Sequence, residues 1–244
     1  MKKIIKKIIN IVLSPFILKD YISFFSKRDS RFSLNIFDFY PQIKDKTIKT
    51  GFDRHYVYHT SWAARKVKDF NPQIHTDISS LLYFSGILSA FVPVKFYDYR
   101  PAELKLSNLQ SEHADLMNLP FEENSLQSLS CMHTVEHIGL GRYGDPIDPQ
   151  GDIKACKELS RVLANNGQLI FVTPVGKPKI EFNAHRIYSF QQVINLFPNL
   201  VLKEFSLVTD RPEQGDFIEN ADSNLVAEQK YGCGCFIFTK HDNS

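Results

Sequence analysis

The strongest structural signal in this sequence is a largely apolar run of eight residues, QLIFVTPV (168–175). A strand of this composition needs cover on both faces, which is typical of the centre of a parallel sheet. The preceding segment GDIKACKELSRVLANNG (151–167) has apolar residues at helical spacing and ends in Asn-Gly, which predicts an amphipathic helix. A helix that leads into a buried strand indicates an α/β architecture.

Strand and helix patterns alternate over residues 73–240. Further helices are predicted at 80–91 and 189–198, and further strands at 73–79, 94–100, 111–116, 126–134, 201–210 and 232–240. The alternation predicts an α/β fold with a doubly wound, mostly parallel sheet of seven strands. Because no helix signal separates the last two strands, we expect them to form an antiparallel pair at one edge. Ligands of such sheets bind beyond the carboxyl ends of the strands.

Composition and charge are those of a soluble protein and do not indicate a nucleic-acid-binding function. With 43% hydrophobic and 23% charged residues, the chain resembles an ordinary soluble globular protein. A net charge of +2 gives no indication of a nucleic-acid partner. The four cysteines show no paired Cys-x-x-Cys spacing, so a reduced, cytoplasmic protein is expected (Cys131, Cys156, Cys233 and Cys235).

Basic charge is concentrated at the N-terminus. Residues 1–31 contain eight Lys or Arg and two Asp, and their apolar residues form one helical stripe (Ile5, Ile8, Ile9, Val12 and Phe16). The segment is too short and too charged to span a bilayer. It predicts a basic amphipathic helix that lies on an anionic membrane surface, peripheral at the inner face of the cytoplasmic membrane. The alternative is a helix packed on its own domain or on a partner.

Residues 32–72 are expected to form an N-terminal helical cap before the α/β domain, which spans residues 73–244. SWAARKVKDF predicts a helix with Ser61 as an N-cap. Three aromatic or imidazole side chains of this segment either line a ligand site or pack against the sheet (Tyr56, His59 and Trp62).

HTVEH (133–137) has the His-x-x-Glu-His spacing of one group of zinc peptidases. A zinc site of that kind needs a sustained helix, but a predicted strand precedes the motif and IGLGRYGDPIDP follows it. The glycines and prolines of that loop cannot continue a helix. A third protein ligand would also be needed, and no pattern indicates Glu204 or Glu213. We therefore predict a strand end followed by a turn, and no metal site.

The stretch HADLMNLPFEENSLQSLSCMHTVEHIG, followed by KELSRVLANNGQLIFVTPVG, resembles class I S-adenosylmethionine-dependent methyltransferases, and the resemblance extends over residues 73–240. The RYGDPIDP loop is more narrowly similar to an uncharacterised bacterial methyltransferase-like family, a domain of unknown function often encoded among surface-polysaccharide genes. The resemblance implies a Rossmann-like methyltransferase fold and S-adenosylmethionine as cofactor. It also implies methyl transfer to a hydroxyl or related group of a small sugar-like or glycan acceptor.

The resemblance implies that cofactor-binding residues follow three strands. Asp98 would accept hydrogen bonds from the ribose hydroxyls, and Asp115 with Leu116 would receive the adenine. The turn after the first strand would contribute Asp77, Ser79 and Ser80. Here the sequence departs from the family, because serines stand where glycines usually allow positive φ. Since serine does not readily take left-handed conformations, the pocket either binds the cofactor in a modified way or has lost it.

The resemblance also implies residues on the acceptor side. His133 would be the general base, and Glu136 and His137 would position it or cap the turn. Two loops would contact the acceptor (Arg142, Tyr143 and Asp145; His185, Arg186 and Tyr188). For the second loop the alternative is an ordinary turn into a helix with Ser189 as N-cap.

Two functions are compatible with these features. One is a methyltransferase that acts on a small-molecule or glycan acceptor. The other is a non-catalytic protein of the same fold that acts as a scaffold in a membrane-associated biosynthetic complex through residues 1–31. The turn without glycines favours the scaffold, whereas Asp98, Asp115 and His133 favour the enzyme. Nothing in the sequence indicates an oligomeric state.

Overall fold

A computed structural model of the chain describes residues 15–29, 31–42 and 45–241. The chain divides into two compact units, Met1–Phe52 and Asp53–Ser244. In the first unit, helix α1 (Pro15–Lys27) has no buried residue, and Tyr21 packs edge-on against Phe39 with ring centroids 5.3 Å apart. Most of the stripe predicted over residues 1–31 lies outside the described residues. Within those described, no helix has the length and apolar content to cross a bilayer.

The second unit is built on a sheet whose strands follow the predicted pattern. In chain order they are β1 (His75–Ile78), β2 (Val94–Asp98), β3 (Leu109–His113), β4 (Leu126–Met132), β5 (Leu163–Val175), β6 (Lys179–Glu181), β7 (His185–Ile187), β8 (Val201–Val208), β9 (Phe217–Ile218) and β10 (Gly232–Thr239). Within the described ranges the main sheet has eight strands in the order β3-β2-β1-β4-β5-β10-β8-β9, and β6 and β7 form a separate hairpin.

The sheet is parallel from β3 to β5 and antiparallel beyond it. β1 pairs in parallel with β2 and β4, and β10 runs antiparallel between β5 and β8. The predicted mostly parallel, doubly wound sheet with an antiparallel last strand is confirmed. The last two long strands, β8 and β10, form the expected antiparallel pair toward one end of the sheet, but the edge itself is β9, which pairs with β8. The two-residue strand β9 is the additional, eighth strand.

Helices cover both faces of the sheet. They are α2 (Arg54–Phe70), α3 (Leu82–Leu88), α4 (Gly151–Val162) and α5 (Phe190–Leu196). One core contains Leu159 of α4 and Val193 of α5, and the other contains Trp62 of α2 and Phe84 of α3. Successive residues of the central strands alternate between the two cores, as the two faces of a pleated strand require. The sheet is therefore buried on both sides along its central strands.

Two predicted helix boundaries were wrong. Helix α4 ends at Val162, and the Asn-Gly pair that was expected to end the helix lies inside β5, where Asn166 has φ 57°. The register between β4 and β5 shifts at this point, and a Cβ at Gly167 would lie 2.8 Å from the Ala164 carbonyl oxygen. The Asn-Gly pair therefore forms an irregularity in the strand rather than a helix cap.

The helix of the 32–72 segment also begins earlier than predicted. Asp53 is the N-cap of α2, and its side chain accepts a hydrogen bond from the Tyr56 N–H at 3.2 Å. Ser61 lies in the helix interior. The unit boundary before Asp53 places α2 in the same unit as the sheet.

Ser189 caps α5 in a reciprocal arrangement. Its hydroxyl accepts from the Gln192 N–H at 3.2 Å, and the Gln192 side chain accepts from the Ser189 N–H at 2.9 Å. We expect Ser189→Ala to lower the free energy of unfolding by about 1 kcal/mol, since one N–H of the first turn loses its acceptor. Urea denaturation would measure this change. Ser189→Asp is the matched control, because it retains an acceptor oxygen; an equal loss in both variants would contradict the capping role.

Candidate active site

A cleft lies at the carboxyl ends of β1, β2 and β4, where ligands bind in sheets of this kind. Together with the solvent-filled space at its open mouth it encloses about 830 Å³. Its wall combines residues that follow several strands (Ser79, Asp98, Asp115, Leu116, His133, Thr134, His137, Tyr143 and Asp145). All nine residues lie at or after the end of a strand, or in the loop after β4, and the structure brings them together around one cleft.

Ser79 adopts a left-handed backbone conformation, for which a glycine was expected to be required. Its φ is 56°, in the left-handed region. The Ser79 N–H donates to the Tyr97 carbonyl at 2.7 Å, and Thr134 Oγ1 donates to the Ser79 carbonyl at 2.9 Å. Hydrogen bonds from β2 and from the end of β4 thus hold both sides of this residue. They offset the cost of a left-handed serine, of the order of 1–2 kcal/mol.

Asp77 and Ser80 lie behind this turn and do not line the cleft. Asp77 is fully buried and accepts hydrogen bonds from Ser130 Oγ at 2.6 Å and from the Ser85 hydroxyl. Ser80 Oγ accepts from the Met132 N–H at 3.0 Å. Burial raises the pKa of Asp77 to about 6, although the serine hydroxyls oppose the shift. Both side chains therefore join β1 to its neighbours inside the protein.

Asp98 and Asp115 are half-buried acids on the cleft wall. Asp98 Oδ1 accepts from the Arg100 N–H at 2.7 Å, and Asp115 Oδ1 accepts from the Met117 N–H at 2.9 Å. These local bonds fix each carboxylate through one oxygen and leave the other oxygen for a ligand. Leu116, only 3% exposed, adds an apolar surface beside Asp115.

His133 and Glu136 form a buried pair at the inner end of the cleft. His133 ends β4 with φ 54°, and its Nδ1 donates to Glu136 Oε1 at 2.8 Å. Burial lowers the pKa of His133, whereas Cys233 and Glu136 raise it. Since burial raises the pKa of the Cys233 thiol well above its usual range, Glu136 is the neighbour that supplies negative charge at neutral pH. The pair therefore favours the protonated imidazole, and His133 can accept a proton only when its Nε2 carries none.

HTVEH forms a strand end and a single 3-10 turn (Val135–His137), as predicted. His137 Nδ1 donates to the Ala184 carbonyl at 2.6 Å, and the Arg142 guanidinium donates to the same oxygen at 2.9 Å. Glu204, considered as a third zinc ligand, instead accepts from Trp62 Nε1 at 3.1 Å and from Lys66 Nζ at 2.6 Å. Trp62 therefore packs in the core, which was the alternative to lining the ligand site.

The loop after the turn is organised by Asp145. Its carboxylate accepts from the Gly139 N–H at 2.8 Å and from the Gly141 N–H at 3.3 Å. The Tyr143 ring lies 4.7 Å from the Arg100 guanidinium and 5.0 Å from that of Arg142. Because Arg100 follows β2, this contact ties the loop to the strand end that carries Asp98, and Tyr143 covers part of the cleft.

Arg186 and Tyr188, predicted on the acceptor side, are buried away from the cleft. Arg186 donates to the Ile138 carbonyl at 2.7 Å and lies 3.6 Å from Asp152. The Tyr188 hydroxyl donates to Asp152 Oδ2 at 3.0 Å. These contacts hold the start of α4 and the turn after β4 in place, so their role is structural. His185 packs against Tyr231 with ring centroids 5.0 Å apart and is not part of the cleft wall.

Sequence patterns named Tyr56 and His59 as possible lining residues of a ligand site, but they did not predict that these side chains surround His133. The rings of His55, Tyr56 and His59 in α2 have centroids 5.6, 5.4 and 5.0 Å from the His133 ring. Burial, together with His133, lowers the pKa of His55 to about 4. Cys233 Sγ of β10 lies 3.5 Å from His133 Nε2. The dense polar-aromatic composition of residues 53–62 was the signal for the helix, but no pattern in the sequence connected it with Cys233.

A family model described as "Caenorhabditis protein of unknown function, DUF268" matches residues 104–216, less than half of the chain. Its description names Caenorhabditis, whereas the sequence resemblance indicated a bacterial family, and it does not mention polysaccharides. No curated protein matches the sequence.

The solved structures that match this chain include proteins named as methyltransferases. A candidate sarcosine dimethylglycine methyltransferase from Galdieria sulphuraria has 14% identity and a TM-score of 0.54, with 77% of this chain and 86% of that chain covered. YcgJ from Bacillus subtilis has 13% identity, a TM-score of 0.54 and coverage of 77% and 100%. The N-methyltransferase NodS from Bradyrhizobium japonicum, solved with S-adenosylhomocysteine, has 12% identity, a TM-score of 0.51 and coverage of 77% and 87%. At these identities the comparison establishes the Rossmann-like methyltransferase fold.

The buried Asp77 carboxyl predicts a pH dependence of stability. Between pH about 4 and 6 the folded protein keeps a proton that the unfolded chain, with the usual pKa of 3.8, has lost. The contribution of Asp77 to the free energy of unfolding therefore falls by up to about 3 kcal/mol as pH rises through this interval, and stays constant above it.

Asp77→Asn removes this titration. In urea denaturation at pH 4, 5, 6 and 7, the free energy of unfolding of the native protein minus that of Asp77→Asn should fall with pH and then level off. Ser85→Ala is the companion variant, because it removes a hydroxyl that stabilises the carboxylate and should extend the fall to higher pH. A difference independent of pH would show that Asp77 has its ordinary pKa.

Proposed function

We propose that this protein transfers a methyl group from S-adenosylmethionine to a hydroxyl or related group of a small sugar-like or glycan acceptor. The observation that carries the proposal is the convergence of Ser79, Asp98 and Asp115 on one cleft at the carboxyl ends of the strands. The methyltransferase fold of the sheet supports it, and so does the S-adenosylhomocysteine bound in the structurally similar NodS. A bound cofactor would supply an electrophilic methyl group on a sulfonium centre.

The residues of the cleft fit such a cofactor. The second carboxylate oxygen of Asp98 is an acceptor for ribose hydroxyls, and that of Asp115 is an acceptor for the exocyclic amine of adenine. Leu116 would pack against the base. Ser79 at the end of β1 has the left-handed backbone that a glycine turn would otherwise supply, and it borders the cleft. This conformation supports the proposal although the turn contains no glycine.

The acceptor would bind at the end of the cleft lined by His133, Thr134 and His137, beneath Tyr143. These side chains offer hydrogen-bond donors and acceptors, which suits a hydroxyl-rich molecule. The cleft would accelerate transfer mainly by holding the acceptor atom in line with the methyl group and by excluding water. Glu136 would orient His133, which would serve as the base through an unprotonated Nε2. In this proposal the protein works in the cytoplasm.

The fit of the cofactor is tested by isothermal titration of the purified protein with S-adenosylmethionine and with S-adenosylhomocysteine. Asp98→Ala removes a charged acceptor of the ribose and should weaken both ligands by at least about tenfold. Asp69→Ala, an exposed acid on α2, is the control and should bind as the native protein does. Equal affinities in both variants would exclude the role of Asp98. If folded native protein gives no heat, the methyltransferase proposal is contradicted and the non-catalytic scaffold is favoured. In that case the turn after β1 would have only a structural role, through the hydrogen bonds of Asp77 and Ser80.

We also propose that residues 1–31 hold the protein on an anionic membrane surface. The lysines of this segment and the exposed apolar side chains of α1 (Phe16, Ile22 and Phe24) support this proposal. Replacing Lys2, Lys3, Lys6 and Lys7 by Glu should reduce co-sedimentation with phosphatidylglycerol vesicles by at least about tenfold, since each lysine near such a surface contributes about 1 kcal/mol. Phosphatidylcholine vesicles serve as the neutral control. Unchanged co-sedimentation would contradict the electrostatic part of the proposal.

A further inference from the structure

Three potential metal ligands from distant parts of the sequence meet beside the inner end of the cleft. His55 lies in the first turn of α2, His133 at the end of β4 and Cys233 near the start of β10. One ligand atom from each residue lies within 4.8 Å of the other two. His133 Nε2 and Cys233 Sγ are 3.5 Å apart. In a tetrahedral zinc site a nitrogen and a thiolate sulfur are separated by about 3.5 Å, so this pair already has the spacing of two ligands of one ion.

The Nδ1 atom of His133 is held by a hydrogen bond, since it donates to Glu136 Oε1 at 2.8 Å. The His55 ring stacks on the Tyr231 ring with centroids 5.0 Å apart. Metal-binding histidines usually donate their second N–H to a carboxylate or a backbone carbonyl, which fixes the ring and the tautomer. Glu136, itself buried and accepting from Thr173 Oγ1 at 3.5 Å, is a suitable partner of this kind.

A third imidazole gives an independent indication of a missing ligand. His59 is fully buried, and its Nδ1 hydrogen-bonds to the His55 carbonyl oxygen at 2.6 Å. Its Nε2 has no hydrogen-bond partner among the residues that the structure describes. Buried polar atoms are rarely left unpaired. The His59 ring packs against the His133 ring with centroids 5.0 Å apart, so this nitrogen lies beside the cluster, although His59 is not one of the three residues whose ligand atoms meet.

We propose that His55, His133 and Cys233 bind one divalent zinc-class ion, with a fourth position left for water or the acceptor. Two imidazoles and a thiolate favour Zn²⁺ or Co²⁺ over Mg²⁺ and Ca²⁺, which require oxygen ligands. Binding would displace the thiol proton of Cys233, and any proton on His133 Nε2, to solvent. His137 takes no part, so this site differs from the peptidase-like pairing within HTVEH. His133 borders the cleft, and the ion would therefore lie at its acceptor end.

Cobalt binding tests the proposal without any methyl transfer. Metal-free full-length protein is titrated with Co²⁺, and a thiolate-to-cobalt charge-transfer absorption should saturate at one ion per chain and disappear when Zn²⁺ is added. Cys233→Ser should abolish this absorption, and His55→Ala should weaken cobalt binding by at least about 100-fold, as expected for the loss of a ligand. Circular dichroism of each variant confirms that it is folded.

Matched variants identify the ligands. Cys156→Ser removes another buried thiol, one that belongs to the core on the opposite face of the sheet, and His137→Ala removes the other histidine of HTVEH. Both should keep the absorption and the affinity. Folded native protein without a charge-transfer absorption would overturn the proposal. So would a result in which His137→Ala abolishes cobalt binding and His55→Ala does not, because the ion would then lie in HTVEH.

The metal site and the proposed methyl transfer can fail separately. Asp98→Ala should bind cobalt as the native protein does, since Asp98 has no place in the cluster. Native protein that binds cobalt and gives no heat with S-adenosylmethionine would support the metal site and contradict the methyltransferase. The reverse result would contradict only the metal site, because His133 would then act in the cleft without an ion.

Discussion

Burial of β5 and β10 on both faces is the constraint on which the rest of the molecule depends. The two strands pair over eight residues from Val175 to Gln168, and nearly all of these residues are buried. A sheet with such a centre needs helices on both sides, and a right-handed connection between parallel strands supplies them. The carboxyl ends of β1, β2 and β4 then lie along one edge, and the cleft follows from that arrangement.

The turn after β1 shows how tertiary contacts override a local preference. Serine at a left-handed position costs free energy in an isolated chain. Here the Tyr97 carbonyl and the Thr134 hydroxyl bind both sides of Ser79; Tyr97 lies in β2 and Thr134 directly after β4, so the sheet places both partners. Asp77 and Ser80 point into the protein because neighbouring strands and α3 offer hydrogen-bonding groups there. A turn without glycine is therefore compatible with an open cleft beside it.

The polar groups at the inner end of the cleft form one connected system. Glu136 is buried and needs compensation for its charge, which His133 provides. His133 in turn lies between the cleft and the side chains of α2 and β10. A buried imidazole–carboxylate pair of this kind can serve either a reaction of a bound acceptor or the coordination of an ion, and both uses depend on its Nε2 atom. Arg186 stabilises the turn that carries Glu136, because its guanidinium donates hydrogen bonds to the backbone of that turn.

Several features of this protein follow from the sequence alone. Apolar periodicity predicted the doubly wound sheet and most of its elements, since burial selects residues at the spacing of strands and helices. The positions of Asp98, Asp115 and His133 after strands were also predicted, because parallel strands end at a common edge. Local patterns could not show where α4 gives way to β5, since packing against β4 decides whether ANNG is strand or helix end. Local patterns also could not distinguish Arg186 and Tyr188 from side chains that face a ligand. These two residues are buried in contact with Asp152. Only the tertiary structure brought Cys233 to His133, 100 residues away, because such contacts depend on strand order and register, which no local pattern contains.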